Sequence, residues 1–264
     1  MVLINSQPGD SIAVADRGLS FGDGVFRTLE CIHGRPRLWP WQYARLQADT
    51  AALGLECPHE SLLLDELARA AAGLERAVGK ITLTRGSGTR GYAPTAGALP
   101  TRVVNATPWG GYPAELVSQG IRMRVCDLRL AQQPRLAGIK HLNRLENVLA
   151  RGEWHDPAIR EGLLLDCHEN VIEGTMSNLF LLADGQWRTP LLDQCGVAGA
   201  VRAWVMAQLA VEESRLSLQQ LLAADALFVC NSLAGIWPVA SLGDRCWGPV
   251  AAVQQLAARL RDTA

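Results

Sequence analysis

Gly138-Ile139-Lys140-His141-Leu142-Asn143-Arg144-Leu145-Glu146 contains one of only two lysines in the chain. The other is Lys80, and the remaining 23 of the 25 basic residues are arginines. Arginine serves wherever a surface cation is enough, but it does not become a neutral amine near pH 7 and cannot form a Schiff base. A chain with this bias that keeps Lys140 next to apolar Ile139 points to a need for an amine there. Taken singly, a lysine is more often a solvated side chain. Lys80, opening a strand predicted over residues 80–84, reads as that surface case.

Leu142, Leu145, Val148 and Leu149 fall at helical spacing, which places Lys140 just ahead of a helix. Further on, residues 163–166 and 171–173 read as a hairpin around His168-Glu169-Asn170. It leads into Ile172-Glu173-Gly174-Thr175-Met176-Ser177-Asn178 and a strand over residues 178–182. Gly196-Val197-Ala198-Gly199-Ala200-Val201-Arg202 then opens a helix predicted over residues 199–210. Free backbone N–H groups and the helix dipole suit such a start to a phosphate. An amine, a carboxylate that would keep a pyridine nitrogen protonated and a phosphate cradle are the three anchors that pyridoxal phosphate requires. Each has a plainer alternative: a solvated lysine, an exposed carboxylate at a strand end, a glycine loop that merely starts a helix.

Upstream, Asp23-Gly24 is a turn dipeptide leading into a strand over residues 25–32. Pro40 opens a helix that Gly54 ends, and a second helix covers residues 60–72. Residues 102–107 form another strand. Gly110-Gly111 and Pro113 mark a boundary between a small N-terminal α+β domain, residues 1–110, and a larger one, residues 111–264, carrying Lys140. Alternation of Ile121, Met123 and Val125 with arginines predicts a half-buried strand, and further helices are expected over residues 217–224 and 249–261.

With 264 residues, 48% of them hydrophobic and 19% charged, the chain has the composition of a soluble globular protein. A net charge of −1 argues against nucleic-acid partners, no apolar run suits a membrane span, and no secretory signal opens the chain. Seven dispersed cysteines read as buried thiols of a cytoplasmic protein. Gly86-Ser87-Gly88-Thr89-Arg90-Gly91 fits a dinucleotide-binding pattern, but Pro94, Gly97 and Pro100 forbid the helix that should follow. The five histidines, among them His141, show no metal-ligand spacing.

The segments at residues 138–146, 21–26 and 173–178, together with Arg85-Gly86-Ser87-Gly88-Thr89-Arg90-Gly91-Tyr92, resemble the fold-type IV (class IV aminotransferase-like) pyridoxal-phosphate enzymes. Within that group they are most similar to the aminodeoxychorismate lyases. The resemblance implies two α+β domains in the D-amino-acid-aminotransferase-like fold, with the cofactor between them, and a homodimer. It implies Lys140 as the Schiff-base lysine and proton shuttle, and Glu173 on the pyridine nitrogen. Arg45, the N–H groups of Ala200 and Val201, and Ser232 would hold the phosphate, with Val197 against the ring. Arg27, Arg90, Tyr92 and Arg144 become candidates for the carboxylates of a small-molecule substrate, because guanidinium forks suit them; each arginine could equally pair with a surface acid. Glu173-Gly174-Thr175-Met176-Ser177-Asn178 is nearer the aminotransferase form of its segment. This keeps open an aminotransferase for D- or branched-chain amino acids, and beyond it a cofactor carrier without catalysis.

Overall fold

Val25, Leu29 and Cys31 are buried while Phe26 and Thr28 are half-exposed, the period-2 pattern of a strand covered on one face. That strand, β3 (Gly24–Ile32), follows β1 (Val2–Ile4), β2 (Gln7–Pro8) and α1 (Arg17–Phe21). It precedes β4 (Arg35–Pro36), α2 (Trp39–Ala52), α3 (Glu60–Ala70), β5 (Arg76–Thr84) and β6 (Thr101–Pro108). The computed structural model describes residues 1–94 and 97–263. The six strands β1–β6 form an antiparallel sheet in the order β2-β1-β6-β5-β3-β4. Leu46 of α2 and Leu63 and Leu67 of α3 pack with Val25, Leu29 and Ile81 to cover one face. Pro40 lies in the first turn of α2, and Gly54 just beyond the helix has φ +61°, as its stop signals require. Gly24 cannot be anything larger: a Cβ there would lie 2.3 Å from the Leu83 carbonyl oxygen.

The second unit contains α4 (Glu115–Ser118), β7 (Ile121–Leu130), α5 (Leu145–Arg151), β8 (Ile159–Asp166), β9 (Asn170–Gly174), β10 (Asn178–Ala183) and β11 (Gln186–Pro190). After these come α6 (Ala200–Gln208), β12 (Val211–Ser214), β13 (Leu216–Ser217), α7 (Leu218–Ala223), β14 (Ala226–Asn231), β15 (Gly235–Leu242), β16 (Arg245–Cys246) and α8 (Ala251–Asp262). Its ten-stranded sheet runs β12-β11-β10-β14-β15-β7-β8-β9-β13, with β16 against β15. The expected hairpin is β8–β9, pairing Leu164 with Glu173. Asp166 closes it by accepting N–H bonds from His168 and Asn170, both at 2.9 Å.

The chain is thus α+β with two sheets, and it divides at Gly111 and Tyr112. One stretch departs from the boundary drawn at residue 110. Ile139–Asn143 belongs with the first unit, so Lys140 does too, although its sequence position lies within the C-terminal part. The cause is backbone pairing with the exposed edge of β3. Phe26 N–H donates to the Lys140 carbonyl at 3.0 Å, and Leu142 N–H to that of Gly24 at 3.0 Å.

The helix expected after Lys140 is α5, whose Leu145, Val148 and Leu149 are 68%, 63% and 58% exposed. One expectation is corrected. Among the cysteines, residues 31, 126, 195 and 230 are buried, whereas Cys167 and Cys246 are exposed. Burial pushes the thiol of Cys230 up to about 12, which leaves it unreactive.

Asp23, in the turn ahead of β3, accepts from Arg17 Nε and Arg85 Nε, both at 2.8 Å. Burial alone would raise its carboxyl, but Arg85 and then Arg17 outweigh burial and hold it below the ordinary 3.8. A lowered acid stabilises the fold above its unfolded pKa and loses that contribution as pH falls through the folded value. Asp23→Asn should therefore cost about 2 kcal/mol at pH 7, the scale of charge-assisted hydrogen bonds. In urea unfolding the gap between variant and parent should close as pH drops below 3.8.

Candidate active site

In the first unit, the alternation of β3 separates the candidate residues onto two faces. Arg27 lies on the helix-covered side with Val25 and Leu29, only 2% exposed. Its Nη2 donates to Asp49 and, at 3.4 Å, to the Arg45 carbonyl. Burial, and then repulsion from Arg45, lower this guanidinium to about 9, so it remains a cation at neutral pH. Arg27, a candidate for the substrate carboxylates, is held in a buried ion pair with Asp49, while its buried Nε makes no hydrogen bond among the described residues.

The opposite face carries Phe26 and Thr28, paired across the ladder with Thr82 and Lys80. Lys140 Nζ stands 4.6 Å from the Phe26 ring centroid, and Lys80 Nζ stands 5.3 Å from the same centroid. Both lysines of the chain therefore flank one ring. Lys80 is exposed, as the sequence predicts for a surface lysine, although β5 begins at Arg76 and so places it in mid-strand opposite Thr28.

Arg45 is half-buried on α2, and its Nη2 lies 3.3 Å from Asp49 Oδ1. Asp49, 1% exposed, was not among the candidates; nothing in its local sequence distinguishes it from a helix-surface acid. It also accepts the backbone N–H of Lys140, at 3.2 Å. Arg90 and Tyr92 lie exposed in the loop after β5. Arg17 secures that loop by donating to the carbonyls of Gly91 at 3.1 Å and Tyr92 at 2.8 Å.

In the second unit, Glu173 is 4% exposed near the end of β9, and its Oε2 accepts the Val197 N–H at 2.9 Å. Gly196 turns the chain toward that bond at φ +85°, where a Cβ would come within 2.8 Å of Ile172 Cγ2. Asn178 holds the same loop from both sides: its Nδ2 donates to the Val197 carbonyl at 2.7 Å and its Oδ1 accepts from Gly199 N–H at 3.0 Å. Helix α6 then begins at Ala200 with no side-chain cap, so its first-turn N–H groups, those of Ala200 and Val201 among them, are of the kind that can serve an anion.

Ser232 lies in the turn after β14. There Asn231 receives the N–H groups of Leu233 and Ala234, at 2.9 and 2.7 Å, and donates to the Met176 carbonyl at 3.2 Å. Arg144, half-buried ahead of α5, feels the Glu173 carboxylate and secondarily Glu146, but burial outweighs both and lowers its pKa. Glu146 itself accepts the Ala131 N–H at 2.8 Å. Glu161, missed in the sequence, is 1% exposed. It gathers the turn after Glu173, accepting from Thr175 N–H at 2.9 Å and Ser177 Oγ at 2.7 Å. Burial raises its carboxyl despite those bonds.

The donors fit a pyridoxal phosphate in kind. The first unit offers an amine fixed at its backbone and a guanidinium on α2. The second offers a buried carboxylate, and beside it a helix start left uncapped. Taken one by one, an amine suits an aldehyde, a carboxylate a ring nitrogen, and either a guanidinium or an uncapped helix start a phosphate.

Comparison with known proteins agrees. The family model for amino-transferase class IV matches residues 24–242. An aminodeoxychorismate lyase of Vibrio harveyi is 34% identical, over 92% of this chain and 91% of the relative. The crystal structure of 4-amino-4-deoxychorismate lyase from Pseudomonas aeruginosa superposes with a TM-score of 0.94 at 42% identity, covering 99% of this chain and 98% of that one. A branched-chain-amino-acid aminotransferase of Escherichia coli (strain K12) is 28% identical over 90% of this chain and 84% of its own.

Asn178→Ala removes both bonds that pin the loop at Val197 and Gly199. It should lower stability by about 1–3 kcal/mol, measured by urea unfolding, and raise hydrogen-exchange rates at Ala198 and Gly199 ahead of those in β10.

Proposed function

Because the chain belongs to the amino-transferase class IV family, we propose that it acts as an aminodeoxychorismate lyase with pyridoxal phosphate. It would release pyruvate from 4-amino-4-deoxychorismate and leave 4-aminobenzoate, a precursor of folate. The similarity to lyases of 34% and 42% identity along nearly the whole chain supports this activity. The observation that carries the chemistry is Lys140, held at its backbone carbonyl by β3 and at its N–H by Asp49.

Bound pyridoxal phosphate would supply an electron sink for the carbon that carries the substrate amine. Lys140, whose amine would tether the cofactor, would also be the base that takes the proton from that carbon. The electron pair left behind would form a double bond to the neighbouring carbon, whose C–O bond breaks, and the C–O bonding pair would leave on the enolpyruvate oxygen. Lys140 returns the proton so that pyruvate departs, and the ring becomes aromatic, which supplies much of the driving force. Glu173 would present its carboxyl to the ring nitrogen, oriented by the Val197 N–H. Arg45, the N–H groups of Ala200 and Val201, and Ser232 hold the phosphate, and Val197 packs on the ring. Lys80, Arg90, Tyr92 and Arg144 supply cations and a hydroxyl for the two substrate carboxylates; Lys80 takes the place first given to Arg27. The protein works as a cytoplasmic homodimer, a reading supported by the exposed apolar face Leu145, Val148 and Leu149, which a second copy would cover. Among the described residues, no helix is long and apolar enough to cross a membrane.

A second reading, branched-chain aminotransferase, is favoured by the segment Glu173-Gly174-Thr175-Met176-Ser177-Asn178 and by the Escherichia coli relative. Incubation with a branched-chain amino acid separates the two: a transaminase passes its cofactor to the pyridoxamine form, and a lyase retains the aldehyde form.

Purified protein given aminodeoxychorismate should release pyruvate and 4-aminobenzoate in equal amounts. Lys140→Ala should lower turnover by about a thousandfold or more, since one residue serves as both tether and proton carrier. It should also lose the borohydride-fixed label. A variant with normal turnover would sink the assignment. Lys80→Met should raise KM for the lyase substrate about tenfold, the cost of one charge-assisted contact, with kcat little changed.

A further inference from the structure

We propose that Asp49 is a positioning residue that sets both ends of the cofactor, orienting Arg45 toward the phosphate and fixing the backbone of Lys140. The proposal rests on the functional reading above and adds to it a residue outside the reacting groups. Asp49 is 1% exposed, and its carboxylate divides its contacts between its two oxygens. Oδ1 lies 3.3 Å from Arg45 Nη2, while Oδ2 takes the Lys140 N–H at 3.2 Å and also Arg27 Nη2.

A buried acid on a helix is costly without partners. Here Arg27 supplies the compensating charge from β3, and its second bond, to the Arg45 carbonyl at 3.4 Å, ties the same turn of α2 to the strand. One carboxylate therefore joins three groups: a structural cation, the candidate phosphate ligand and the peptide of the Schiff-base lysine. An exposed Arg–Asp pair four residues apart on a helix is a weak contact. With the acid buried and pinned by Arg27, the Arg45 side chain has an anchored partner, and less freedom is lost when it binds phosphate.

The sign of the charge effect separates positioning from simple attraction. Neutralising Asp49 leaves Arg27 and Arg45 with more net positive charge, which by Coulomb attraction alone would strengthen phosphate binding. Positioning predicts the reverse. Asn at residue 49 has one acceptor oxygen. With that oxygen serving Arg27 and the Lys140 N–H, its amide N–H groups face Arg45, and the guanidinium is displaced.

The experiment titrates the full-length chain with pyridoxal phosphate and, separately, with pyridoxal, which lacks the phosphate, reading the visible absorbance of each. Asp49→Asn should weaken pyridoxal phosphate by about tenfold or more, equivalent to roughly 1.4 kcal/mol, while pyridoxal changes by less than about threefold. Asp49→Ala, which also deletes the acceptor for the Lys140 N–H, should weaken both ligands. Adding Asp49→Asn to Arg45→Gln should cost nothing beyond Arg45→Gln, because residues acting through one another are not additive. Tighter phosphate binding, equal weakening of both ligands, or full additivity in the double variant overturns the proposal. Should Asp49→Asn fail to give a folded far-UV spectrum, Asp49→Glu decides: an unchanged preference for the phosphorylated ligand refutes it, and a selective loss supports it. If the parent chain itself takes up neither ligand and borohydride leaves Lys140 unmodified, the functional reading has failed, an outcome distinct from a parent that binds both.

Discussion

Five residues, Ile139–Asn143, leave the course of the C-terminal part and lie along the bare edge of β3. The arrangement depends on that pairing. Strand β4 covers β3 only at Cys31 and Ile32, so the N–H of Phe26 and the carbonyl of Gly24 would otherwise be an unsatisfied edge. The lysine peptide satisfies it. The same constraint demands glycine at residue 24, where any Cβ would collide with the Leu83 carbonyl, and puts the Lys140 ammonium against Phe26.

The second unit solves a different problem, that of holding a carboxylate and a helix start in fixed positions. Glu173 receives the Val197 N–H, Asn178 takes the peptides on either side of Ala198, and Gly138 adds N–H and carbonyl bonds to the same loop at Gly196 and Ala198, at 2.9 and 3.0 Å. Glu161 does for the turn after Glu173 what Asn178 does for the glycine loop. Apart from the Gly162 N–H, its hydrogen-bond donors are Thr175, Met176 and Ser177. Both devices use buried polar groups with their bonds made, which makes a site stiff.

Much of this was legible along the chain because local rules are short-ranged. The Asp23-Gly24 turn, the proline start of α2, the β8–β9 hairpin and the glycine entry to α6 all rest on signals within a few residues. Strands β14 and β15 were not read. The first is a buried apolar run without alternation, and the second contains Pro238, so neither shows a strand period. Helix α5 was read from spacing, yet the face that spacing defines is exposed: periodicity reports a helix and not what covers it.

The sequence by itself determined the chemistry available: two lysine amines in a chain otherwise committed to arginine, a carboxylate after a hairpin, a glycine loop ahead of a helix. Residue types carry chemical potential without reference to neighbours, so these could be named from order alone. Only the tertiary structure decided which side of a sheet each group occupies. Arg27 and Phe26 are adjacent in sequence and face opposite ways; one is buried against Asp49 and the other lies between the two lysines. Asp49 lies 91 residues from the peptide it holds, and no local pattern encodes a contact that exists only after α2 has packed on β3.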